Sequence, residues 1–443
     1  MDKTKLCKNF KIFDYLLRYR SHQLFRTRSL VRCKQKRKKK KKKMGGFSKF
    51  FNEHLTTLTC REIHKGISCK KQALNTFIGS PIKSLKFLAP IAFLSLLPKI
   101  RTLNQTDLQE TVRNYLIASL AFSMNGATAV CLVCLLRNLL GKLTLYTTGF
   151  IPCLLSSYCV LLIDTNAGKA AANAFYQCFI ESLLRRKNVI SRTVSGSKLI
   201  QTIIFVMCSG LILHGKREYN VKEVWIAAPN RLAAPNGEEK SKIHCHLHKD
   251  MSCRNHLWIG IRNYFLTGLV LDCASIFKAA ASQPTSRERW SKLKHFQLFS
   301  APLACLYIAL YRSTHCFLNQ FNNFSDQINH ALASCCAGLC YFLYPQQSLF
   351  CFAVLQAVQT LWQLFKIENS KTTNKCFKFF LNFSYRSIMY PLIQAYLAHI
   401  YVMKPQLCSR FTVQILDNAT NDQATAVMNY IQKSLQQAKN YPS

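Results

Sequence analysis

Long runs of uncharged residues limit what this chain can fold into. Residues 114–136, between Arg113 and Arg137, are 23 consecutive uncharged positions, and residues 143–163 are 21. A run of about 18 or more apolar residues is typical of a helix that crosses a bilayer, whereas a helix of a soluble protein keeps a polar stripe. The two runs therefore predict membrane spans, and the four residues 138–141 between them predict a helical hairpin.

Further uncharged blocks follow along the chain. They cover residues 199–215, 295–311, 327–365 and 387–403. Pro345 divides the third block into two short spans. Taken alone, a 17-residue block is also compatible with a buried helix of a soluble core, but these blocks belong to a chain that already contains longer ones.

The apolar blocks repeat with an offset of 182 residues. Residues 87–98 align with 269–280, 114–136 with 296–318, 143–163 with 325–345, 170–184 with 352–366, and 199–213 with 381–395. The first pair is short, which favours an interfacial or re-entrant segment over a span. Internal repeats are common in membrane proteins, and a chance alignment of apolar blocks is the alternative. We predict an all-α, polytopic helical membrane protein of two tandem repeats with about four membrane-spanning helices each.

Composition divides the chain into six segments. The first 43 residues hold 18 Lys and Arg against Asp2 and Asp14, so they supply +16 of the net charge of +41. The predicted order is 1–43, a basic disordered leader; 44–82, a Cys/His-containing N-terminal region; 83–215, the first membrane repeat; 216–262, a basic Cys/His-containing loop; 263–403, the second membrane repeat; and 404–443, a polar C-terminal tail.

The basic leader has two interpretations. Such a block repels itself and does not fold, and it can serve as a nuclear-localisation, RNA-binding or anionic-lipid-binding tail. We favour the simpler interpretation of an expressed or gene-model artefact, because a run of adenines translates as lysine. The chain then starts at Met44, and removing residues 1–43 is expected to leave targeting and membrane insertion intact.

A group of cysteines and histidines precedes each predicted repeat. The first group is Cys60, His64 and Cys69, and the second is Cys245, His248 and Cys253. Zinc takes four tetrahedral ligands from such side chains, and neither group supplies four alone. One shared zinc site that clamps the two halves together is therefore one hypothesis. Reduced thiols and solvated imidazoles on polar loops, or disulfides, are the alternatives.

The other polar residues form no recognisable catalytic set. There is no G-x-S-x-G, H-E-x-x-H or Walker motif, so we do not expect an enzyme. Twelve of the 21 cysteines, Cys131 and Cys134 among them, lie inside apolar blocks, where cysteine acts as a small hydrophobic side chain. Asp272 lies inside a block, where an acidic residue is a functional candidate by default. We favour the alternative, an ion pair with Arg262 in an interfacial segment.

Several Asn and Gln side chains lie within or beside the blocks. They either line a polar path through the membrane or join neighbouring helices. The set consists of Asn114, Asn125, Gln201, Gln327, Gln356, Gln359 and Gln363.

Short stretches along the chain resemble the transmembrane protein 135 family, also called peroxisomal membrane protein 52. They are the Cys60…Cys69 stretch, Leu85-Lys86, Ala89-Pro90, Asn125-Gly126-Ala127, Cys134-Leu135-Leu136-Arg137, Leu140-Gly141-Lys142, Thr148-Gly149-Phe150, His295-Phe296-Gln297-Leu298, Cys316-Phe317-Leu318 and His330-Ala331. The resemblance covers roughly residues 44–405. Asn319 departs from an arginine that is usual in the family, and the chain after residue 405 matches poorly.

The resemblance implies a multi-pass protein of mitochondrial and peroxisomal membranes. Members are linked to mitochondrial fission and dynamics, fat storage and peroxisomal lipid handling. The family is distantly similar to the Tim17/Tim22/Tim23 translocase subunits, so a Tim17-like translocase or a transporter-type pore for a lipid, solute or polypeptide is the alternative function. We expect membrane lipids and organelle membrane proteins as partners, and no nucleic acid.

Overall fold

The computed structural model describes most of the chain after residue 58. The described residues are 59–64, 66–96, 104–161, 166–221, 224–229, 252–281, 298–321, 325–371 and 374–440, with a few positions between 285 and 291. The predicted leader 1–43, Cys245 and His248 lie outside them. Within this part the chain is helical and has no strand, so the predicted all-α class is confirmed.

The helices follow the chain in two series. The first comprises α1 (Cys60–Ile63), α2 (Cys69–Leu96), α3 (Gln105–Leu140), α4 (Phe150–Ser156), α5 (Tyr158–Leu161), α6 (Asn166–Leu184), α7 (Val189–Gly196) and α8 (Lys198–Glu218). The second comprises α9 (Cys253–Ala281), α10 (Ser300–Phe321), α11 (Asp326–Gly338), α12 (Gln347–Glu368), α13 (Lys375–Asn382), α14 (Arg386–Met403), α15 (Arg410–Thr420) and α16 (Gln423–Asn440).

Three helices in the described part are long and apolar enough to cross a membrane: α3, α8 and α12. The block 143–163 does not form one span, because it is divided into α4 and α5, a shorter apolar pair. Residues before α4 form a turn in which Thr144 and Thr147 exchange bonds between side chain and backbone, and such bonds compete with a helix. The described helices thus include fewer span-length apolar helices than the eight that we predicted.

The three long apolar helices each expose an apolar stripe. On α8 the exposed side chains Leu199, Ile203 and Met207 recur every four residues, which places them on one face. Leu116 and Leu120 of α3 follow the same spacing. Large exposed apolar surfaces of this kind are typical of contact with lipid or with another protein.

Two hydrophobic cores hold the helices together, and each core combines both series. In the first core Phe205 and Ile212 of α8 pack with Tyr307 of α10 and with residues of α11 and α12. In the second core Leu397 of α14 packs with Phe122 of α3 and with residues of α6. The helix α8 of the first series and the helix α14 of the second therefore each pack against helices of the other series.

The predicted polar C-terminal tail is folded in this structure. Ser409 accepts a hydrogen bond from the backbone N–H of Thr412 and so caps α15. Ile415, Leu416 and Ala419 are buried on one face of that helix. The segment thus belongs to the second core, and its polar composition reflects only the opposite face.

Asp272 has a different role from the predicted ion pair with Arg262. Its carboxylate accepts hydrogen bonds from the backbone N–H groups of Phe299, Ser300 and Ala301, at 3.1, 2.8 and 2.9 Å. These amides lie at the start of α10, where backbone donors lack helical partners and the helix dipole favours a negative charge. Asp272 therefore caps α10 from the neighbouring helix α9.

The Asp272→Asn substitution tests this capping role. We expect it to lower the free energy of unfolding by about 2 kcal/mol, because a neutral amide offers fewer acceptor sites and no charge to the three backbone donors. Thermal unfolding of the purified protein in detergent measures the loss. Glu368→Gln, at an exposed position at the end of α12, removes the same charge and should leave the melting temperature unchanged.

Candidate metal centre

The cysteine–histidine group of the N-terminal region begins at a capped helical turn. The backbone N–H of Thr59 donates to Oε2 of Glu62 at 2.7 Å, which fixes the first turn of α1. The backbone N–H of His64 in turn donates to the carbonyl of Cys60 at 2.9 Å. Because residues four apart on a helical turn share one face, the side chains of Cys60 and His64 point the same way.

A residue in the left-handed backbone conformation then reverses the chain direction before Cys69, the third candidate ligand. Gly66 has φ +87°, a conformation that residues with a Cβ rarely adopt, and its N–H donates to the carbonyl of Arg61 at 2.7 Å. The chain re-enters a helix at Cys69, the first residue of α2. The turn places Cys69 beside the Cys60 and His64 side chains.

The fourth member of the group comes from the first long apolar helix. Cys134 lies near the C-terminal end of α3, and its Sγ is 3.0 Å from Nε2 of His64. The ligand atoms of Cys60, His64, Cys69 and Cys134 all lie within 4.8 Å of one another. All three cysteines are free thiols and half-buried, and His64 is buried. Four such side chains at this spacing match the ligand number and type of a tetrahedral zinc site.

The surroundings affect the charge of these groups. Burial lowers the pKa of His64, so its imidazole is neutral near pH 7 and carries a lone pair. Burial also raises the pKa of the Cys60 thiol, and its hydrogen bond with Cys69 adds to that effect, whereas Arg137 acts in the opposite direction. Because a bound metal ion displaces thiol protons, metal binding at this group would depend on pH.

A cavity opens beside the group. Its empty volume is about 710 Å³, including the open mouth, and its lining includes Cys60, His64, Cys134 and Arg137. The remaining walls are mainly apolar side chains of α3, α14, α15 and α16. The cavity is therefore mostly apolar and contains Arg137 and members of the metal-binding group in its lining.

The structure brings together three of the six predicted ligands. Cys60, His64 and Cys69 form the group, and the fourth member, Cys134, was interpreted from the sequence as a small hydrophobic side chain. Cys253 is not a member: it begins α9, where Nε2 of Gln320 lies 3.6 Å from its Sγ. Cys245 and His248 lie outside the described residues, so the clamp shared between the halves stays a prediction.

A second buried polar cluster was not predicted from the sequence. The buried rings of His315 and His330 are 5.6 Å apart, and Nδ1 of His330 is 3.0 Å from the hydroxyl of Tyr311. Asp326 lies 3.6 Å from Nε2 of His315 and forms an ion pair with Arg217. These residues come from three helices, α8, α10 and α11, so no local pattern could have grouped them.

Two of the side chains considered for a polar path, Asn125 and Gln359, make contacts between helices. Asn125 of α3 accepts hydrogen bonds from Ser156 at 2.8 Å and from Gln394 of α14 at 2.9 Å. Gln359 of α12 donates to Asn173 of α6 at 2.7 Å. These bonds agree with the interpretation that such residues join helices.

The fold and the site define a helical membrane protein whose cysteine-rich N-terminal segment packs against its first long apolar helix. Residues 58–185 match the family model for the N-terminal cysteine-rich region of Transmembrane protein 135. This match confirms the predicted resemblance to the transmembrane protein 135 family over that region, which contains all four members of the Cys/His group. No solved structure matches this chain.

Proposed function

We propose that this chain is a multi-pass protein of the mitochondrial or peroxisomal membrane that regulates mitochondrial dynamics, including fission, and lipid homeostasis. The match of residues 58–185 to the cysteine-rich region of Transmembrane protein 135 carries the proposal. The outward apolar stripes of α3 and α8 support membrane lipids as direct partners. Other organelle membrane proteins are the expected protein partners.

Localisation combined with depletion and rescue tests this function. A tagged chain starting at Met44 is expected in mitochondria or peroxisomes, and protease protection of each loop assigns its orientation. Depleting the protein should change mitochondrial length and the number of lipid droplets, and re-expression should restore both. Residence in another membrane, or depletion without effect on either quantity, would contradict the proposal.

We further propose that the two series of helices are tandem repeats that exchange the equivalent helices α8 and α14. The proposed repeat pairs α8 with α14, α11 with the region of α4 and α5, and α12 with α6 at the offset of 182 residues. The packing supports this pairing, because α8 packs on α11 and α12 while α14 packs on α4 and α6. Such reciprocal packing is what two copies of one fold produce when they exchange a terminal element.

A Tim17-like translocase or transporter-type pore is the second candidate function. The buried His315 and His330, with Asp326 and Arg217 beside them, favour it, because ionisable groups inside a membrane bundle often mark proton or substrate paths. Purified protein in vesicles loaded with a pH-sensitive dye tests this candidate. A proton flux that His330→Gln reduces would support a pore, whereas flux equal to that of empty vesicles would exclude a proton path.

A further inference from the structure

We propose that Cys60, His64, Cys69 and Cys134 bind one zinc ion, which fastens the cysteine-rich N-terminal segment to the end of the first membrane-spanning helix. Four side chains from three elements, α1, the start of α2 and α3, place their ligand atoms within 4.8 Å of one another. The proposal stands independently of the regulatory function proposed above.

The ligand geometry is close to that of a filled site. Zn–S bonds of about 2.3 Å and Zn–N bonds of about 2.0–2.1 Å place tetrahedral ligand atoms about 3.5–3.8 Å apart. The His64 Nε2 and Cys134 Sγ atoms are already 3.0 Å apart, and every other pair lies within 4.8 Å. Ligand-atom displacements of about 1 Å therefore bring these separations to the tetrahedral values.

The ligand chemistry selects the ion. Three thiolates and one imidazole match the structural Cys₃His type of zinc site, whereas Mg²⁺ and Ca²⁺ require oxygen ligands. Zinc with three thiolates carries a net charge of −1, and Arg137 lines the same cavity and interacts electrostatically with Cys60. The positive charge of Arg137 therefore offsets the residual negative charge of the filled site.

The position of Cys134 gives the site its structural role. Cys134 stands one turn before Arg137, near the end of the long helix α3, whereas the other three ligands lie on the segment that precedes it in the chain. The polypeptide between Cys69 and Cys134 forms α2 and most of α3, so the ion would close this helical hairpin at its open end. A structural zinc ion contributes directly to folding free energy, so its loss should loosen the N-terminal segment from α3.

Elemental analysis of the full-length protein, purified in detergent, tests the proposal. We expect about one zinc ion per chain, lost in Cys69→Ser and in Cys134→Ser. Cys131→Ser is the matched control, because Cys131 lies one turn away on the same helix and outside the group. It should retain the zinc content of the unmodified protein.

A second measurement keeps the test independent of variants that fail to fold. The unmodified protein is treated with a zinc chelator, and its melting temperature is expected to fall by several degrees and to recover when zinc is returned. Cobalt(II) added in place of zinc should produce thiolate-to-metal absorption in the unmodified protein and in Cys131→Ser, and none in Cys134→Ser.

Several outcomes would overturn the proposal. One is purified protein that contains no metal and whose melting temperature the chelator does not change. Another is a Cys134→Ser variant that keeps its zinc. A third is a disulfide between two of the three cysteines in protein that was never exposed to an oxidant. Iron with acid-labile sulfide in place of zinc would also overturn it, because that composition defines a different centre.

Discussion

The Gly126→Ala substitution is expected to lower the melting temperature of the purified protein by roughly 5 °C or more. A Cβ built on Gly126 of α3 falls well inside van der Waals contact with the backbone carbonyl of Ala419 in α15. Because that carbonyl belongs to a packed helix, a side-chain rotation cannot relieve the clash. The new methyl group must therefore push α15 away from α3 and open the second core.

The sign of the change in melting temperature distinguishes a packing clash from an effect of helix propensity. Alanine favours a helix over glycine by about 1 kcal/mol, so a loss of stability must come from the clash. Gly196→Ala is the matched control, because a Cβ at this position in α7 meets nothing within 4 Å. Thermal unfolding in detergent should show a lower melting temperature for Gly126→Ala and an unchanged or higher one for Gly196→Ala. An unchanged or raised melting temperature for Gly126→Ala would show that α15 does not pack against α3 as described.

The Gly338→Ala substitution is expected to have the next largest effect, a loss of about 2–3 kcal/mol in the free energy of unfolding. A Cβ at Gly338, the last residue of α11, lies 2.7 Å from Cα of Val206 in α8. Two hydrogen bonds hold α8 close beside this point: the Ser209 hydroxyl donates to the carbonyl of Ser334 at 2.6 Å and lies 2.7 Å from the hydroxyl of Tyr307. The helix therefore cannot shift without breaking them.

Urea-induced unfolding followed by tryptophan fluorescence measures this loss. Trp225 lies in the first core and donates a hydrogen bond from Nε1 to the hydroxyl of Tyr307 at 2.8 Å, so its emission reports on the α8 interface. Gly196→Ala again serves as the control. If Gly338→Ala keeps wild-type stability and unchanged tryptophan emission, α8 does not pack against Gly338 as described.

The sequence predicts the helices of this protein better than it predicts their contacts. The uncharged block 114–136 indicates a spanning helix, because a lack of charge over that length is a local property. The helix α3 starts earlier, at Gln105, since polar residues can extend a helix beyond the apolar block. The prediction of one membrane span over 143–163 was wrong. Composition does not show that the side chains of Thr144 and Thr147 bond to backbone N–H groups just before α4.

The candidate metal site shows the same limit. The short spacing from Cys60 to Cys69 puts three ligands within two turns and a loop, so those three were predictable. Cys134 lies 65 positions further along, inside an apolar block, and only the packing of α3 brings it to the group. Its position three residues before Arg137, where the block ends, was the one available sign that this thiol lies near a polar boundary.

The C-terminal segment was predictable in part. Ser409 followed three residues later by Thr412, with Ile415, Leu416 and Ala419 at helical spacing, is the pattern of a capped amphipathic helix. The low overall hydrophobicity of the segment concealed it. The partner of that apolar face, α3, is nearly 300 positions earlier in the chain and is not encoded locally.

Cysteine cross-linking across the two series of helices tests the proposed exchange most directly. Gly149→Cys with Ala398→Cys joins the start of α4 to α14, since a Cβ at Gly149 lies 3.4 Å from the carbonyl oxygen of Ala398. Gly210→Cys joins α8 to the native Cys335 of α11, whose Sγ lies 2.8 Å from a Cβ at Gly210. Because both pairs of positions approach this closely, we expect oxidation to link each of them. A protease site inserted between residues 230 and 250 then cuts the chain between the two series.

After oxidation in membranes and cleavage, both variants are expected to run as one linked species on a non-reducing gel and as two fragments after reduction. The parent chain with the protease site, and Ala398→Cys alone, supply the background from native cysteines. If α8 and α14 instead pack within their own series, the fragments of both variants will separate without reductant, and the exchange of helices between the two halves is contradicted.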